Sequence, residues 1–438
     1  MKTFKSTKLK FLGVTIICLA IFACGGTKNG VKLSTSDFEL NQLLLLEENV
    51  KNNPKNPEVH FKLAQAYSNL DSINLAIKSI NKCLEINPDY NDAKLLRGNL
   101  LLKKNQIKEA YSEYLEILNG KTGDEFVLEI RKQYGQPYPI HQLTRSEFNN
   151  AFPYFCPDDK RIAFQSDRDG NWEIYLMDAD GTQEVRLTNN SEQDEMPVFS
   201  SIENIIAFTS TRDDTAHKSR VEKTRNIFLM NLQTGNVARE IGHQADDWYP
   251  ALSDKGRQII FVSERDDNRD VPFQERFSDI YFKDIKKNQL LRLTQNEADD
   301  GSPSVSVDGK WIVFTSNRTG SFQVFKMDKR GQFVEQLTHL KGNCGSPHFS
   351  HDGMKITFFA NVNGNYDVFT MDFTGQNIER LTKNPSQDSY PSFSSDKRKI
   401  LFHSNRSGKY QIYWIDLMNP LGKEQLIEEL DQVVNSLE

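Results

Sequence analysis

The chain has 438 residues, too many for one ordinary hydrophobic core, so two or three domains are expected. Charged residues make up 26% of it and the net charge is −6, an acidic balance that argues against a nucleic-acid partner, since phosphate binding needs a basic face. Of five cysteines, Cys83, Cys156 and Cys344 stand too far apart for a disulfide framework or a zinc site, so no metal and no cofactor is expected.

At the N-terminus, Lys2, Lys5, Lys8 and Lys10 precede an apolar run from Phe11 to Phe22. That run is shorter than the about 20 residues of a membrane span, and it reads as a secretory signal over 1–23. Its end, Ile21-Phe22-Ala23-Cys24, resembles the bacterial lipoprotein lipobox. The resemblance implies cleavage before Cys24 and lipidation of that cysteine; an ordinary secretory signal with an incidental cysteine is the alternative. Residues 24–36 make a flexible tether. On this reading the protein is exported and lipid-anchored in the bacterial cell envelope, at the outer membrane, facing the periplasm or the cell surface.

Residues 37–122 carry helical apolar spacing and repeat with a period of 34. Ala64 recurs as Gly98, Tyr67 as Leu101, Ala76 as Ala110, Ile80 as Tyr114 and Cys83 as Ile117. Small residues at helix crossings with this period resemble the tetratricopeptide repeat, which implies stacked helical hairpins able to bind a peptide or to act as a spacer. Residues 123–138 read as a linker.

From 139 to 420 a second repeat takes over. Pro153, Pro197, Pro250, Pro303, Pro347 and Pro391 are spaced by 44, 53, 53, 44 and 44 residues. Each opens a strand; a second follows, as in Trp311 to Ser316; a third carries an Ile-Tyr or Val-Phe pair such as Ile174-Tyr175. A short Arg-Leu-Thr element ends the unit, with Leu-Thr at 187, 293, 337 and 381. Four strands per unit at this period predict a six-bladed β-propeller preceded by tetratricopeptide-like helices, a mainly β protein. The units, best seen from Arg161 to Tyr175, resemble the TolB-type propeller repeat. No Leu-Thr follows the sixth third strand, while an orphan copy, Leu143-Thr144, stands before blade 1, so this strand is expected to complete blade 6. Residues 421–438 read as a C-terminal helix.

Two features meet on one face. Three residues before each proline stand Asn150, Asp194, Asp247, Asp300, Cys344 and Asp388, and the second strands end in Arg168, Arg212, Arg265, Arg318 and Arg406. The carboxylates are expected to circle the channel and to face the arginine of their own blade, with a metal or cationic-ligand site as the alternative; blade 5, with Cys344 and Val362, lacks both partners. Asp167-x-Asp169-Gly170 lacks the remaining ligands of a calcium loop and reads as a turn. Blades 2 and 3 each hold nine extra residues between their second and third strands. These loops, with Lys218, Arg220, Lys223 and Arg225 in one and Arg269, Phe273, Arg276 and Phe277 in the other, form a candidate rim.

The sequence has no Gly-x-Ser-x-Gly elbow, His-Glu-x-x-His or phosphate loop. Such propellers also cap prolyl-oligopeptidase-like hydrolases, but nothing after the ring reads as an α/β domain. The resemblance to TolB-type propellers therefore implies a non-enzymatic scaffold for envelope proteins or peptides. A ligand-, glycan- or metal-binding propeller is the second reading, and an enzyme with its site in the channel the third.

Overall fold

The computed structural model describes residues 35–437 apart from 201–203, 216–222, 254–255, 272–274 and 363. The proposed signal, Cys24 and most of the tether lie outside the described residues. Two compact units divide at Glu113 and Tyr114.

The helical unit is built from α1 (Thr35–Asn52), α2 (Pro57–Asn69), α3 (Ile73–Ile86) and α4 (Asn91–Lys103), with α5 (Ile107–Asn119) crossing the division. Asn56 starts α2 by accepting the Glu58 N–H at 3.0 Å, with Pro57 at the first helical position, where a missing N–H costs nothing. Ala76, Ile80, Cys83 and Leu84 fall on one face of α3 and bury against Ala64, Ala93 and Leu100. The small Ala64 and Ala76 let the helices approach, which is the tetratricopeptide arrangement that the 34-residue period implies.

In the second unit, six four-stranded antiparallel sheets follow one another around a ring. Blade 1 shows the pattern, with strands Asn150–Phe155, Arg161–Ser166, Glu173–Asp178 and Val185–Arg186. The fold class is the one the repeat predicts. Within each blade, rings of the second and third strands pair across the sheet and are buried, such as Phe164 with Tyr175 and Phe314 with Phe325.

The Leu-Thr element has a specific task. Thr188 accepts the N–H of Ile174 at 2.9 Å and donates to Glu173, whose carboxylate also takes Arg186. Blade 3 repeats this with Thr294, Ile280, Asp279 and Arg292, and blade 5 keeps the Val368 N–H on Thr382 and Arg380 on Asp367. In blade 4 both charges are gone together: Gln336 stands for the arginine and Gln323 for the carboxylate. Either residue type at the fourth strand also donates to the threonine carbonyl, Arg186 at 2.7 Å and Gln336 at 2.7 Å.

Ring closure uses the same unit from both ends of the repeat region. Ile140–Gln142 pairs antiparallel with Gln411–Asp416, in the register Ile140 to Ile415 and Gln142 to Tyr413. Thr144 accepts the Ile412 N–H at 2.9 Å, and Gln142 and Gln411 form the uncharged version seen in blade 4. Blade 2 departs from the pattern: Ile241 stands where the others have threonine, while Asn226 accepts the His243 N–H as Glu173 accepts that of Asn190.

One expectation is corrected. Residues 123–138 are not a bare linker but carry a 3-10 turn (Gly123–Glu125) and α6 (Val127–Tyr134), which ends at left-handed Gly135. Tyr134 donates to Glu429 at 2.8 Å in α7 (Lys423–Ser436), and Arg131 to the Leu421 carbonyl at 3.2 Å. Ile130, Leu426 and Leu430 are buried, so this segment and the C-terminal helix are parts of the propeller unit.

Replacing Thr144 by Val keeps the shape but leaves the buried Ile412 N–H without an acceptor. This should cost about 1–3 kcal/mol and lower the propeller's melting temperature. An unchanged melt by circular dichroism would contradict the closure described.

Candidate functional site

The aspartates and arginines of the mouth are brought together in pairs. Arg212 meets Asp194 at 2.6 Å, Arg265 meets Asp247 at 2.5 Å, Arg318 meets Asp300 at 2.9 Å and Arg406 meets Asp388 at 2.7 Å. Each arginine also donates to the serine two residues before it and lies over two rings, Arg212 over Phe208 and Phe228 at 5.2 and 4.8 Å. In blade 1 Arg168 donates to the amide oxygen of Asn150 at 3.0 Å, so asparagine fills the aspartate's place as an acceptor. Blade 5 replaces the whole set, with Cys344, Ala360 and Val362 where the others have a hydrogen-bonding residue, serine and arginine. The four aspartates are fully buried and line none of the cavities described below.

The rim residues are engaged as well. Arg225 pairs with Asp246 and lies 4.6 Å over the Trp248 ring, and Lys223 pairs with Glu192. Arg269 pairs with Asp267 at 2.5 Å and stacks on Phe277 at 3.7 Å. The Nε of Arg276 is buried without a partner among the described residues. Nearby Glu264 is raised to about 8, by burial first and then by Asp246, so its carboxyl holds its proton at neutral pH. Lys218, Arg220 and Phe273 lie outside the described residues. No group of three or more His, Cys, Asp or Glu side chains among the described residues is placed to hold a metal ion.

What the repeat reading missed is the channel itself. The residue before each blade-opening proline sits in the left-handed region: Phe152, Met196, Tyr249, Ser302, Ser346 and Tyr390 have φ between 42° and 57°. The first strand loses register there, between Ala151 and Tyr154 in blade 1 and at the same place in every other blade. Each bulge costs roughly 1–3 kcal/mol and turns its side chain to the channel. Tyr249 and Tyr390, from opposite blades, meet hydroxyl to hydroxyl at 2.8 Å and form a bar across the channel.

Beside that bar a cavity of about 640 Å³ opens over blades 5, 6 and 1. Trp172, Tyr366 and Tyr410 form its rim, and Phe152, Phe359 and Tyr390 its floor. The rim residues share one position, two before the Ile-Tyr or Val-Phe pair, where blades 2 and 3 have Arg225 and Ser278. Their backbone N–H groups are pinned by the following blade: Trp172 by Gln193 at 3.0 Å, Tyr366 by Gln387 at 3.1 Å and Tyr410 by Asn149 at 3.1 Å. Phe359 has room because residue 345 is glycine; a Cβ there would come within 2.1 Å of its ring.

The polar groups of this basin are amides, one imidazole, the Ser389 hydroxyl and the phenol and indole groups of its aromatics. Gln165 accepts the Met196 N–H at 2.8 Å, Asn361 the Gly364 N–H at 2.9 Å and Gln387 the Tyr366 N–H. His403 accepts the Phe152 N–H at 3.0 Å on Nδ1, so its proton sits on Nε2, which points at the Ser389 hydroxyl at 3.0 Å. This tautomer donates to Ser389 and cannot take its proton, so the pair is not an activated nucleophile. Burial pushes His403 down to about 3 and His348, deeper in the channel, to about 4.

Residues 57–90 match the tetratricopeptide repeat model and residues 329–425 the TolB beta propeller domain model, so the chain carries both repeat types. It is 25% identical over 217 residues to "Uncharacterized peptidase YuxL" of Bacillus subtilis, covering 49% of this chain and 27% of that protein. It is 29% identical over 123 residues to "Uncharacterized protein Atu1656" of Agrobacterium fabrum, covering 28% and 39%. The chain thus spans well under half the length of either relative. TolB from Acinetobacter baumannii superposes with a TM-score of 0.44 at 20% identity, over 68% of this chain and 70% of that one.

Two outcomes test this geometry. Arg406→Val leaves Asp388 buried and unpaired, and should cost about 3–5 kcal/mol. Adding Asp388→Cys, which recreates the blade 5 pair, should restore at least half of that loss in denaturant unfolding; additive losses would refute the pairing.

The second concerns pH. A histidine whose pKa falls from 6.5 to about 3 on folding contributes stability that is complete above pH 6.5 and lost as the pH falls towards 3. His403→Gln supplies the acceptor that Gln165 supplies in blade 1 without the titration. It should shrink the fall in melting temperature between pH 7 and 4.5, a difference of up to about 3 kcal/mol. Equal acid sensitivity in both proteins would contradict a buried neutral His403.

Proposed function

We propose that the protein is a lipid-anchored scaffold of the bacterial envelope that binds partner proteins through its propeller mouth and its tetratricopeptide hairpins, without catalysing a reaction. The observation that carries this reading is the rigid mouth: its titratable side chains are locked in ion pairs or held neutral, and the Ser389–His403 pair has the tautomer that cannot activate a nucleophile. A surface whose charged side chains are held in fixed pairs is suited to recognition, which gains affinity from preorganisation. The lipobox at Ile21 to Cys24 supports the anchor, and acyl chains on one residue supply the hydrophobic area that holds such a protein at a membrane. The charged insertions of blades 2 and 3 are the part of the rim proposed to touch a protein partner, with Arg269, Arg276 and Phe277 in the second loop.

The test is crosslinking in intact cells followed by mass spectrometry, with wild type, a Cys24→Ala variant and a variant lacking both insertions. Wild type is expected in the membrane fraction with a defined set of partners, and Cys24→Ala in the soluble fraction. Deleting the insertions should remove at least one partner. Membrane retention of Cys24→Ala would overturn the anchor, and an unchanged partner set would overturn the rim.

A further inference from the structure

The basin over blades 5, 6 and 1 differs in chemistry from the rest of the mouth. We propose that it is a binding site for an uncharged saccharide, a role that rests on reading the propeller as a binding module and adds a second class of ligand to it. The argument begins with charge. No Asp, Glu, Lys or Arg lines the cavity, while charged side chains crowd the mouth in blades 2 and 3. An anionic ligand would meet the negative faces of Trp172, Tyr366 and Tyr410 with no cation to compensate it.

A cation would be favoured by those faces but opposed by the amides. The carboxamide oxygens of Gln165, Asn361 and Gln387 are each taken by a backbone N–H, so their orientation is fixed. Their NH₂ groups have no acceptor among the described residues and are the ends left to meet a ligand. Three oriented N–H donors require an acceptor-rich guest. The protonated Nε2 of His403, engaged by Ser389, adds no acceptor.

A peptide strand has less to bind here. Its main chain would need a free edge, and the N–H groups at the rim positions are already used by Gln193, Gln387 and Asn149. Flat rings at the rim, fixed amide donors between them and a recess of about 640 Å³ suit a sugar ring. Its C–H faces would lie on the aromatics and its hydroxyl oxygens would accept from the amides. The size is within the range of small-ligand sites, roughly 300–1,000 Å³.

The experiment uses the chain from residue 25, without the proposed signal and lipidated Cys24, and follows tryptophan fluorescence and titration calorimetry. The probes are neutral tetrasaccharides of glucose, galactose, mannose and N-acetylglucosamine, with tetragalacturonate, chitosan tetramer and a capped neutral tetrapeptide as comparators. At least one neutral tetrasaccharide should bind saturably, and Tyr410→Ala and Gln387→Ala should each weaken it tenfold or more. Gln387→Glu keeps the oxygen that holds the Tyr366 N–H but removes the NH₂ donor, and should weaken binding as much as Gln387→Ala. Circular dichroism melts confirm that each variant is folded. The proposal is overturned if none of the four neutral sugars binds, if tetragalacturonate, the chitosan tetramer or the peptide binds as tightly, or if folded Tyr410→Ala binds unchanged. Crosslinking of the Tyr410→Ala variant in cells separates the two readings: retained protein partners with no sugar binding would sink the saccharide site alone.

Discussion

The structure depends on one pairing, the three residues from Ile140 to Gln142 laid along the last strand of the sixth blade. A ring of sheets has no stable open form of the same shape, because the first and last blades would each expose a hydrogen-bonding edge. The pairing joins segments about 270 residues apart, and Thr144 adds the hydroxyl that caps the Ile412 amide. Once the ring is shut, every first strand is forced to face the axis. The bulges before the six prolines then have no direction open to their side chains except the channel.

Closure also explains why the channel can hold strained backbone. Six left-handed residues in a row of equivalent positions would be costly in an isolated hairpin. In the ring two of the bulges are held by a neighbour: His403 takes the Phe152 N–H and Gln165 takes that of Met196, both from the preceding blade. The same blade-to-blade exchange pins the rim aromatics. The strained bulge is thus the repeated device, and the side chains it presents are what vary between blades.

The fold was legible in the sequence because its determinants are local and recur. The prolines, the Ile-Tyr pairs and the Leu-Thr elements each mark one strand, and the orphan Leu143-Thr144 was enough to infer closure. The segment from 123 to 138 was not legible as structure, since α6 is only eight residues long and gains its stability from α7, far along the chain. The site was half legible. The Asp–Arg positions stood out because they repeat, yet repetition marked them as scaffold: their side chains are buried between rings. The basin was hidden because its residues differ from blade to blade and carry no charge. One signal was available, the aromatic residue two before the Ile-Tyr or Val-Phe pair in blades 1, 4, 5 and 6, against Arg225 and Ser278 in blades 2 and 3.

That contrast gives blade 5 a reason for its departures. Its lost Asp–Arg pair first looks like decay, since Cys344, Ala360 and Val362 make none of the ionic contacts of the other blades. Yet Asn361, the last residue of its second strand, and Gly364 in the loop beyond line the basin, and Phe359 reaches the floor only because residue 345 is glycine. An arginine at 362 would need a buried aspartate at 344 to hold it, as Arg406 needs Asp388. Removing both together costs little, because the penalty of a buried ion pair falls on whichever partner is left alone. Blade 5 thus drops both partners of a pair that blade 6 keeps as Arg406–Asp388, and in either form the pair position stays out of the basin's lining.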